Sequence, residues 1–312
     1  MGALVRSTLS IIAAALFVGC EGSQWRIGAA GVIPASGAPG RSHNDYGTTG
    51  PLLFVTNFLS WTVTVYHASA RDPAPVATIS QGLNDPAGAC VDGQGTLYIT
   101  NQPNSGPGWV SEYRLGQTTS SEVITKGINT AAYCAIDSSG NLWVTNIGGP
   151  NITEYLHGSK RPHTVITKGV SHPVGIAIDR TGNMYMANRL TSSNLVVYAS
   201  GSKSPSRTIT DGITSPVAIA VDANGVLYVA NVREANVEEY QPGGDHPFKT
   251  VTQGLITPAP VTVNKKGWLY VANDEQDDVV EFRPGMITPS KRQVTKGVHT
   301  PIGLAIYPAV LP

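Results

Sequence analysis

Six asparagines recur along the chain, and each ends a short apolar run. They are Asn57, Asn101, Asn146, Asn188, Asn231 and Asn273, at intervals of 44, 45, 42, 43 and 42 residues. An amide can both donate and accept hydrogen bonds, so a ring of six could bind a ligand or a cation. Sixfold repetition favours a simpler role, in which each amide fastens its own loop, because an asymmetric ligand rarely needs six identical groups.

More specific chemistry is expected from residues that do not repeat. Tyr133 stands where other units have a small or apolar residue, and His172 directly precedes one of the most regular units. Arg189 and Arg233 follow the repeated Asn in neighbouring units, and Trp109 ends a long loop, "QPNSGPGW". Because loops carry many binding functions, we predict a pocket here for an anionic or sugar-like ligand, or for a partner's peptide. The alternative is that they are solvated loop residues without a function.

Familiar catalytic and metal-binding motifs are absent from the sequence. There is no H-x-H, H-E-x-x-H or Cys/His cluster, no G-x-S-x-G, and no glycine-rich phosphate loop between a strand and a helix. The acidic stretch "NDEQDD" (273–278) lacks the alternating spacing of a calcium loop and is interpreted as solvated. No catalytic residue, metal site or cofactor is therefore predicted. Equal numbers of basic and acidic residues, 21 each, argue against nucleic-acid binding.

The elements that position these residues follow the same period. Each unit has four short apolar or β-branched runs separated by turn formers, without a sustained helical period. A glycine near the end of each unit keeps the spacing, at Gly82, Gly127, Gly169, Gly212, Gly254 and Gly297. Four strands in a repeat of about 43 residues predict an all-β protein, a six-bladed propeller of four-stranded antiparallel blades.

The two ends of the repeat region are out of phase. The region begins with "LLFVTN", which is a second strand, and finishes with "PIGLAIYP" (301–308), a first strand without successors. We expect the C-terminal strand to complete the N-terminal blade and close the ring. Second and fourth strands of a blade end on one face, so the asparagines and the loops between units should surround the channel mouth. Third strands alternate in polarity, which predicts that Glu112, Glu154, Glu239 and Glu281 face water.

The repeated phrase also resembles a known family. The segments "PVGIAIDRTGNMYMAN" (173–188) and "PVAIAVDANGVLYVAN" (216–231) are similar to the NHL repeat, and the resemblance extends over residues 51–308. It implies a six-bladed propeller, related in shape to the gluconolactonase and regucalcin group, which holds a metal in its channel with a Glu and other oxygen ligands. No Glu is found here at a matching channel position. NHL units often end this strand in Asp and carry an Arg soon after, so the Asn ending weakens any inference about function.

The N-terminal region differs from the repeats. Residues 1–20 have the features of a signal peptide, and Cys20 follows the apolar run "LSIIAAALFVG", as in a bacterial lipoprotein signal. An ordinary secretory signal or an uncleaved anchor would look similar. Residues 21–50 are rich in Gly, Pro and Ser and are interpreted as a flexible tether, and residues 309–312 as a short tail.

The remaining cysteines, Cys90 and Cys134, lie on first strands of adjacent units. Their positions relative to the turn Asp have opposite parity, so they point to opposite sides of their own blades. They either face each other across one blade interface or both point away. A disulfide is compatible with export, and two small buried apolar side chains are the alternative.

These features leave two functional hypotheses. The first is an exported, lipid-anchored binding scaffold, in the periplasm or at the cell surface, that presents its channel mouth to a protein, a glycan or a small ligand. A cluster of unpaired polar groups at the mouth would favour a ligand, and a broad apolar patch would favour a protein. The second is a lactonase- or lyase-like enzyme with a channel-bound divalent cation. Under both hypotheses the protein is expected to be a monomer. It either contacts the membrane through its N-terminal anchor alone or, without lipidation, is secreted.

Overall fold

The computed structural model describes residues 50–190 and 193–310. The predicted signal peptide, Cys20 and the tether up to residue 49 lie outside these ranges. Within them the chain forms twenty-four strands and no helix, so no helix of these residues could cross a membrane.

The strands are short, with three to seven residues each. The first half of the chain forms β1 (Leu52–Asn57), β2 (Thr62–His67), β3 (Ala77–Ile79), β4 (Pro86–Val91), β5 (Leu97–Asn101), β6 (Trp109–Tyr113), β7 (Glu122–Ile124), β8 (Ala131–Ile136), β9 (Leu142–Asn146), β10 (Asn151–Tyr155), β11 (Thr164–Ile166) and β12 (Pro173–Ile178). The second half forms β13 (Met184–Asn188), β14 (Asn194–Tyr198), β15 (Arg207–Ile209), β16 (Pro216–Val221), β17 (Leu227–Asn231), β18 (Asn236–Tyr240), β19 (Pro247–Val251), β20 (Pro258–Val263), β21 (Leu269–Asn273), β22 (Asp278–Phe282), β23 (Pro289–Val294) and β24 (Pro301–Tyr307).

Six four-stranded antiparallel sheets form the blades of a propeller, as predicted. From the inside outwards, blade 1 has the order β24-β1-β2-β3, and blade 2 has the order β4-β5-β6-β7. Blades 3 to 6 repeat the simple order with β8–β11, β12–β15, β16–β19 and β20–β23. Each innermost strand contacts the innermost strands of both neighbouring blades, so the six strands enclose a central channel.

The ring closes by pairing the two ends of the repeat region. Strand β24 lies antiparallel to β1, with Leu53 opposite Ile306. The closure extends into the preceding loop, where the backbone N–H of His299 donates to the side-chain oxygen of Asn57 at 2.8 Å. The prediction that the C-terminal strand completes the N-terminal blade is therefore confirmed.

The repeated Asp is a turn residue. The carboxylate of Asp92 accepts hydrogen bonds from the backbone N–H groups of Gln94 and Thr96, at 2.9 and 2.8 Å. The same pattern recurs at Asp137, Asp179 and Asp222, and Asn264 takes this place in blade 6. A short acceptor at this position fixes the turn between the first and second strands, and the Gly that follows adopts positive φ.

The third strands are more buried than their polarity predicts. Glu281 is 0 % exposed and Glu239 only 4 %, and Glu154 is also buried. Glu112 is half-buried. The prediction that these glutamates face water is wrong, because the neighbouring blade covers the face that would be exposed in an isolated sheet. In blade 5 the Lys249 ammonium compensates the buried Glu239 carboxylate at 2.9 Å.

The two ends of the ring carry different loops. Loops that join second to third strands, and one blade to the next, lie at the end we call the mouth face. Turns that join first to second and third to fourth strands lie at the other end, the opposite face. Because β1 is a second strand, the chain enters the propeller at Pro51 on the opposite face.

Candidate functional site

The six asparagines lie at the mouth face and are all buried. Each side-chain oxygen accepts a backbone N–H from the loop that leads into the first strand of the same blade; for Asn188 the donor is Ser171 at 2.9 Å. The Asn188 amide nitrogen donates to the carbonyl of Gly169 and to the side chain of Asn194, at 2.9 and 3.1 Å. Both ends of the amide are thus occupied within the blade, which is the geometry of a loop fastener.

Trp109 also hydrogen-bonds a loop of its own blade. In blades 3 to 6 the carbonyl of the periodic Gly accepts from the Asn amide. In blade 2 the carbonyl of Gly82 accepts instead from the Trp109 indole N–H at 3.2 Å and from the Ser111 hydroxyl at 2.8 Å. The structure therefore holds Trp109 against the loop of its own blade.

Two repeated positions meet at the mouth. The residue after each Asn donates its backbone N–H to the carbonyl of the residue just before the first strand. The residues after Asn are Phe58, Gln102, Ile147, Arg189, Val232 and Asp274, and their acceptors are Thr300, Asp85, Thr130, His172, Ser215 and Thr257. These positions vary in chemistry while their backbone geometry is constant, which makes them the natural place for specific binding groups.

Tyr133 closes the channel at the mouth end. Its side chain lies on β8 and crosses the inner strand of blade 2, and its hydroxyl donates to the carbonyl of Ile302 on β24 at 2.8 Å. Gly88 makes room for it, because a Cβ there would lie 3.1 Å from the Tyr133 ring and 2.6 Å from its Cα. Burial raises the pKa of Tyr133, so its hydroxyl remains a neutral donor.

Below Tyr133 the channel is lined mainly by small aliphatic side chains, with Thr262 and polar backbone groups exposed among them. Its lining comes from Ala, Val and Ile side chains of the inner strands, and it encloses about 130 Å³. Ala309 and Val310, which follow β24, line its other end. No charged side chain of the described residues lines this part of the channel, so the charged groups of the central axis lie at the mouth, above Tyr133.

Arg189 and His172 lie together at this mouth. Arg189 is 6 % exposed, and its guanidinium has no ion pair or side-chain hydrogen bond within the described part of the chain. Its backbone N–H donates to the His172 carbonyl at 3.0 Å. The His172 Nε2 is buried without a hydrogen-bond partner, and burial, followed by the charge of Arg189, lowers the pKa of this histidine.

Arg233 stands further out. It is exposed, in the loop between β17 and β18, but it lies close enough to Arg189 to lower the pKa of that guanidinium, in addition to the larger effect of burial. Among the sequence-predicted candidates, the structure thus brings Tyr133, His172, Arg189 and Arg233 together. The polar groups of the asparagines and of Trp109 are instead occupied by hydrogen bonds within their own blades.

Asp274 is a mouth residue that the sequence interpretation missed. The acidic stretch that contains it is predicted to be solvated, and this is wrong for Asp274, which is 5 % exposed and whose Oδ1 has no hydrogen-bond partner among the described residues. Burial, followed by the charges of Glu275 and Asp277, raises the pKa of Asp274 to about 7. Its position directly after Asn273 matches that of Arg189 after Asn188, and this register is the signal that could have identified it.

A second buried carboxylate lies at the mouth in blade 2. The Oδ1 of Asp85 accepts from the Trp61 indole N–H at 2.8 Å, whereas its Oδ2 has no partner among the described residues. Asp85 also adopts a φ of 49°, which is uncommon for a residue other than Gly. Mouth carboxylates, an arginine and a histidine can together bind a molecule that has both an anionic group and hydroxyls.

No three His, Cys, Asp or Glu side chains within residues 50–190 and 193–310 come together as a group that could hold a metal ion. The mouth carboxylates of Asp85 and Asp274 belong to different blades. We therefore assign no metal ligands at the mouth.

Cys90 and Cys134 form a disulfide between the inner strands of blades 2 and 3, with their Cα atoms 5.7 Å apart. Of the two arrangements that parity allowed, the structure has the one in which both side chains face the shared interface. The bond lies one residue after Tyr133 in the chain, so it ties together the two inner strands that frame the tyrosine.

Comparison with known proteins supports the fold. No family model and no curated sequence matches this chain. Among solved structures, a chain of a nidogen/laminin complex has a TM-score of 0.70 and 16 % identity, covering 82 % of this chain and 98 % of that chain. A Bacteroides caccae protein of unknown function gives 0.65 and 14 %, covering 83 % and 99 %. Kuenenia stuttgartiensis hydrazine synthase gives 0.58 and 14 %, covering 74 % and 92 %. At these identities the similarity establishes a six-bladed β-propeller and nothing about its ligand.

Proposed function

We propose that this propeller is a binding scaffold whose mouth binds a small anionic ligand. The observation that carries the proposal is the buried guanidinium of Arg189, which has no partner within the described residues. A buried charge without a counter-ion is unfavourable, and a bound carboxylate would supply both the opposite charge and acceptors for bidentate hydrogen bonds.

The neighbouring groups favour a hydroxylated acid over a simple anion. His172 and Asp274 each keep a buried polar atom without a partner, and the ligand's hydroxyl groups could pair with both. Such paired groups discriminate strongly against analogues that lack them, because the protein atoms would otherwise stay unpaired. Sugar acids have the required combination of a carboxylate and several hydroxyls.

The mouth also favours a ligand over a protein surface. Its buried unpaired polar groups are of the kind expected around a pocket, and the exposed side chain of Arg233 could add a second positive charge at the rim.

We extend the proposal to an NHL-type propeller that is exported and lipid-anchored. The support for this part is the repeated phrase and the apolar run before Cys20. Acylation of wild-type protein but not of Cys20→Ser in a bacterial host would test the anchor.

Ligand binding can be tested by thermal unfolding and calorimetry with D-gluconate, D-glucuronate and neutral D-glucose. We expect at least one acid, and not glucose, to raise the melting temperature of the wild-type protein. Arg189→Gln should lose this effect, while Arg180→Gln, an exposed arginine in a turn of the opposite face, should keep it. Equal stabilisation of both variants by the acid, or by neutral glucose, would contradict the proposal.

A further inference from the structure

Blade 6 carries five cationic residues on two short segments of the chain. They are Lys265, Lys266, Arg283, Lys291 and Arg292. The segments 264–268 and 283–294 contain these five basic residues and no Asp or Glu, although the whole chain has 21 of each kind. None of the five forms an ion pair within the described residues. Arg292 lies close enough to the buried Glu281 to offset part of the rise in its pKa, and the buried Asp222 and Glu239 line the groove of Lys265 and Lys266. The exposed charge of the two segments is therefore that of the lysines and Arg283.

The antiparallel order of blade 6 brings the two segments to one end. The turn at 264–268 joins β20 to β21, and the loop at 283–288 joins β22 to β23, so both lie on the opposite face. Lys265 and Lys266 line a groove shared with Pro284 and Gly285. They also line a second groove, shared with Trp268 and Arg292. The two grooves share Lys265 and Lys266, and we call the surface formed by 264–268 and 283–292 the basic surface.

Apolar side chains lie among these charges. Met286 and Ile287 are 49 % and 44 % exposed at the tip of the β22–β23 loop. The Arg292 guanidinium stacks over the Trp268 ring, 4.9 Å from its centroid. Cations interspersed with exposed apolar and indole side chains suit the boundary between lipid headgroups and acyl chains, where each kind of group finds its preferred surroundings.

The path of the chain also favours a lipid membrane as the partner of this surface. Pro51, where the chain enters the propeller, lines the same groove as Trp268 and Arg292. The preceding 50 residues, which include the apolar run "LSIIAAALFVG", are therefore joined to the propeller beside the basic surface. A bilayer that receives this apolar run would lie within tether reach of the basic surface, so the tether allows the two to meet.

We propose that the basic surface docks on a membrane of anionic phospholipid, with the mouth facing away from the bilayer. Electrostatic attraction acts over about 10 Å at ordinary salt, so the exposed lysines attract the membrane before Met286 and Ile287 enter it. The inference depends on residues of the opposite face and on the proposed N-terminal anchor, and on no residue of the mouth. It can therefore fail or succeed independently of ligand binding at Arg189.

The test is flotation of the full-length chain with phosphatidylcholine vesicles, with and without phosphatidylglycerol. The apolar N-terminal run contributes binding to both vesicles in every variant, so the readout is the increment caused by phosphatidylglycerol. We expect a clear increment for the wild-type chain, and its decrease as salt is added. Replacing two surface lysines, in Lys265→Gln/Lys266→Gln, should reduce the partition coefficient roughly 25-fold, about fivefold per lysine.

The matched control is Lys126→Gln/Lys168→Gln, which removes the same charge from exposed mouth-face loops. It should retain the full phosphatidylglycerol increment. Circular dichroism verifies that both variants fold, and replacing Met286 and Ile287 with serine should weaken the increment without any change in charge. Equal increments in the two lysine variants would overturn the proposal. So would an absent increment in the wild-type chain, even if the basic surface captured an acidic protein instead.

Discussion

The hydroxyl of Tyr133 donates a 2.8 Å hydrogen bond to the carbonyl of Ile302, which connects the inner strand of blade 3 to that of blade 1 across blade 2. The contact links the middle of the chain to the closing strand β24. It also separates a channel whose described lining has no charged side chain from the charged mouth. One aromatic side chain therefore contributes both to ring closure and to the floor of the candidate site.

Replacing Gly88 with Ala should disturb this arrangement. The new Cβ would lie 2.6 Å from backbone atoms of Ala132 and Tyr133, which cannot move without shifting β8. We expect a loss of about 1–3 kcal/mol in the free energy of unfolding, measured by urea denaturation. Gly149→Ala is the control, because its nearest neighbour is the flexible side chain of Asn129 at 3.2 Å. Equal stability of the two variants would contradict the close contact of Gly88 on β4 with β8.

The disulfide should stabilise the propeller. Cys90 and Cys134 are 44 residues apart, and a loop of that length predicts a loss of about 4 kcal/mol when the bond is removed. Unfolding of the Cys90→Ala/Cys134→Ala variant measures this value. Peptide mapping after alkylation in denaturant provides the direct check: both cysteines should react only after reduction, and labelling without reductant would contradict the bond.

Asp274 should make stability depend on pH. Its pKa of about 7 lies above the value of 3.8 in the unfolded chain, so the folded protein binds the extra proton between these values. This contribution to stability is fully present below pH 3.8 and is lost as the pH rises through 7. Between pH 5 and 8 we expect a decrease on the order of 1–3 kcal/mol that Asp274→Asn lacks. A pH profile of Asp274→Asn that matches the wild-type profile would contradict the assignment.

Glu281 and Glu239 occupy equivalent positions and should respond oppositely to neutralisation. Burial raises the pKa of Glu281 to about 7, only partly offset by Arg292, and both its oxygens lack partners among the described residues. At pH 8 we expect Glu281→Gln to stabilise the protein by about 1 kcal/mol, because it removes an unpaired buried charge. Glu239→Gln should destabilise it, because Lys249 loses its partner at 2.9 Å. Urea denaturation at pH 8 distinguishes the two, and changes of the same sign would be the contrary result.

The fold could be predicted because its signals are local and recur in every unit. The turn Asp, the positive-φ Gly and the apolar second strand each act within a few residues, so they can be recognised in the sequence of every unit. The out-of-phase ends also predicted closure correctly, since only β24 could supply the missing strand of blade 1. The candidate residues Tyr133, His172 and Arg189 could be selected because they depart from a regular background.

The sequence by itself thus determined the blade number, the strand order and the closure. Tertiary structure alone decided which polar groups are buried without partners. Glu281 lies on a strand that alternates in polarity, but blade packing covers both its faces, and Asp274 belongs to an acidic stretch yet is buried at the mouth. The basic surface likewise arises from segments about 20 residues apart that one antiparallel blade places at the same end. Burial and long-range proximity depend on the neighbouring blade and on ring closure, and neither is encoded in the residues of a single repeat.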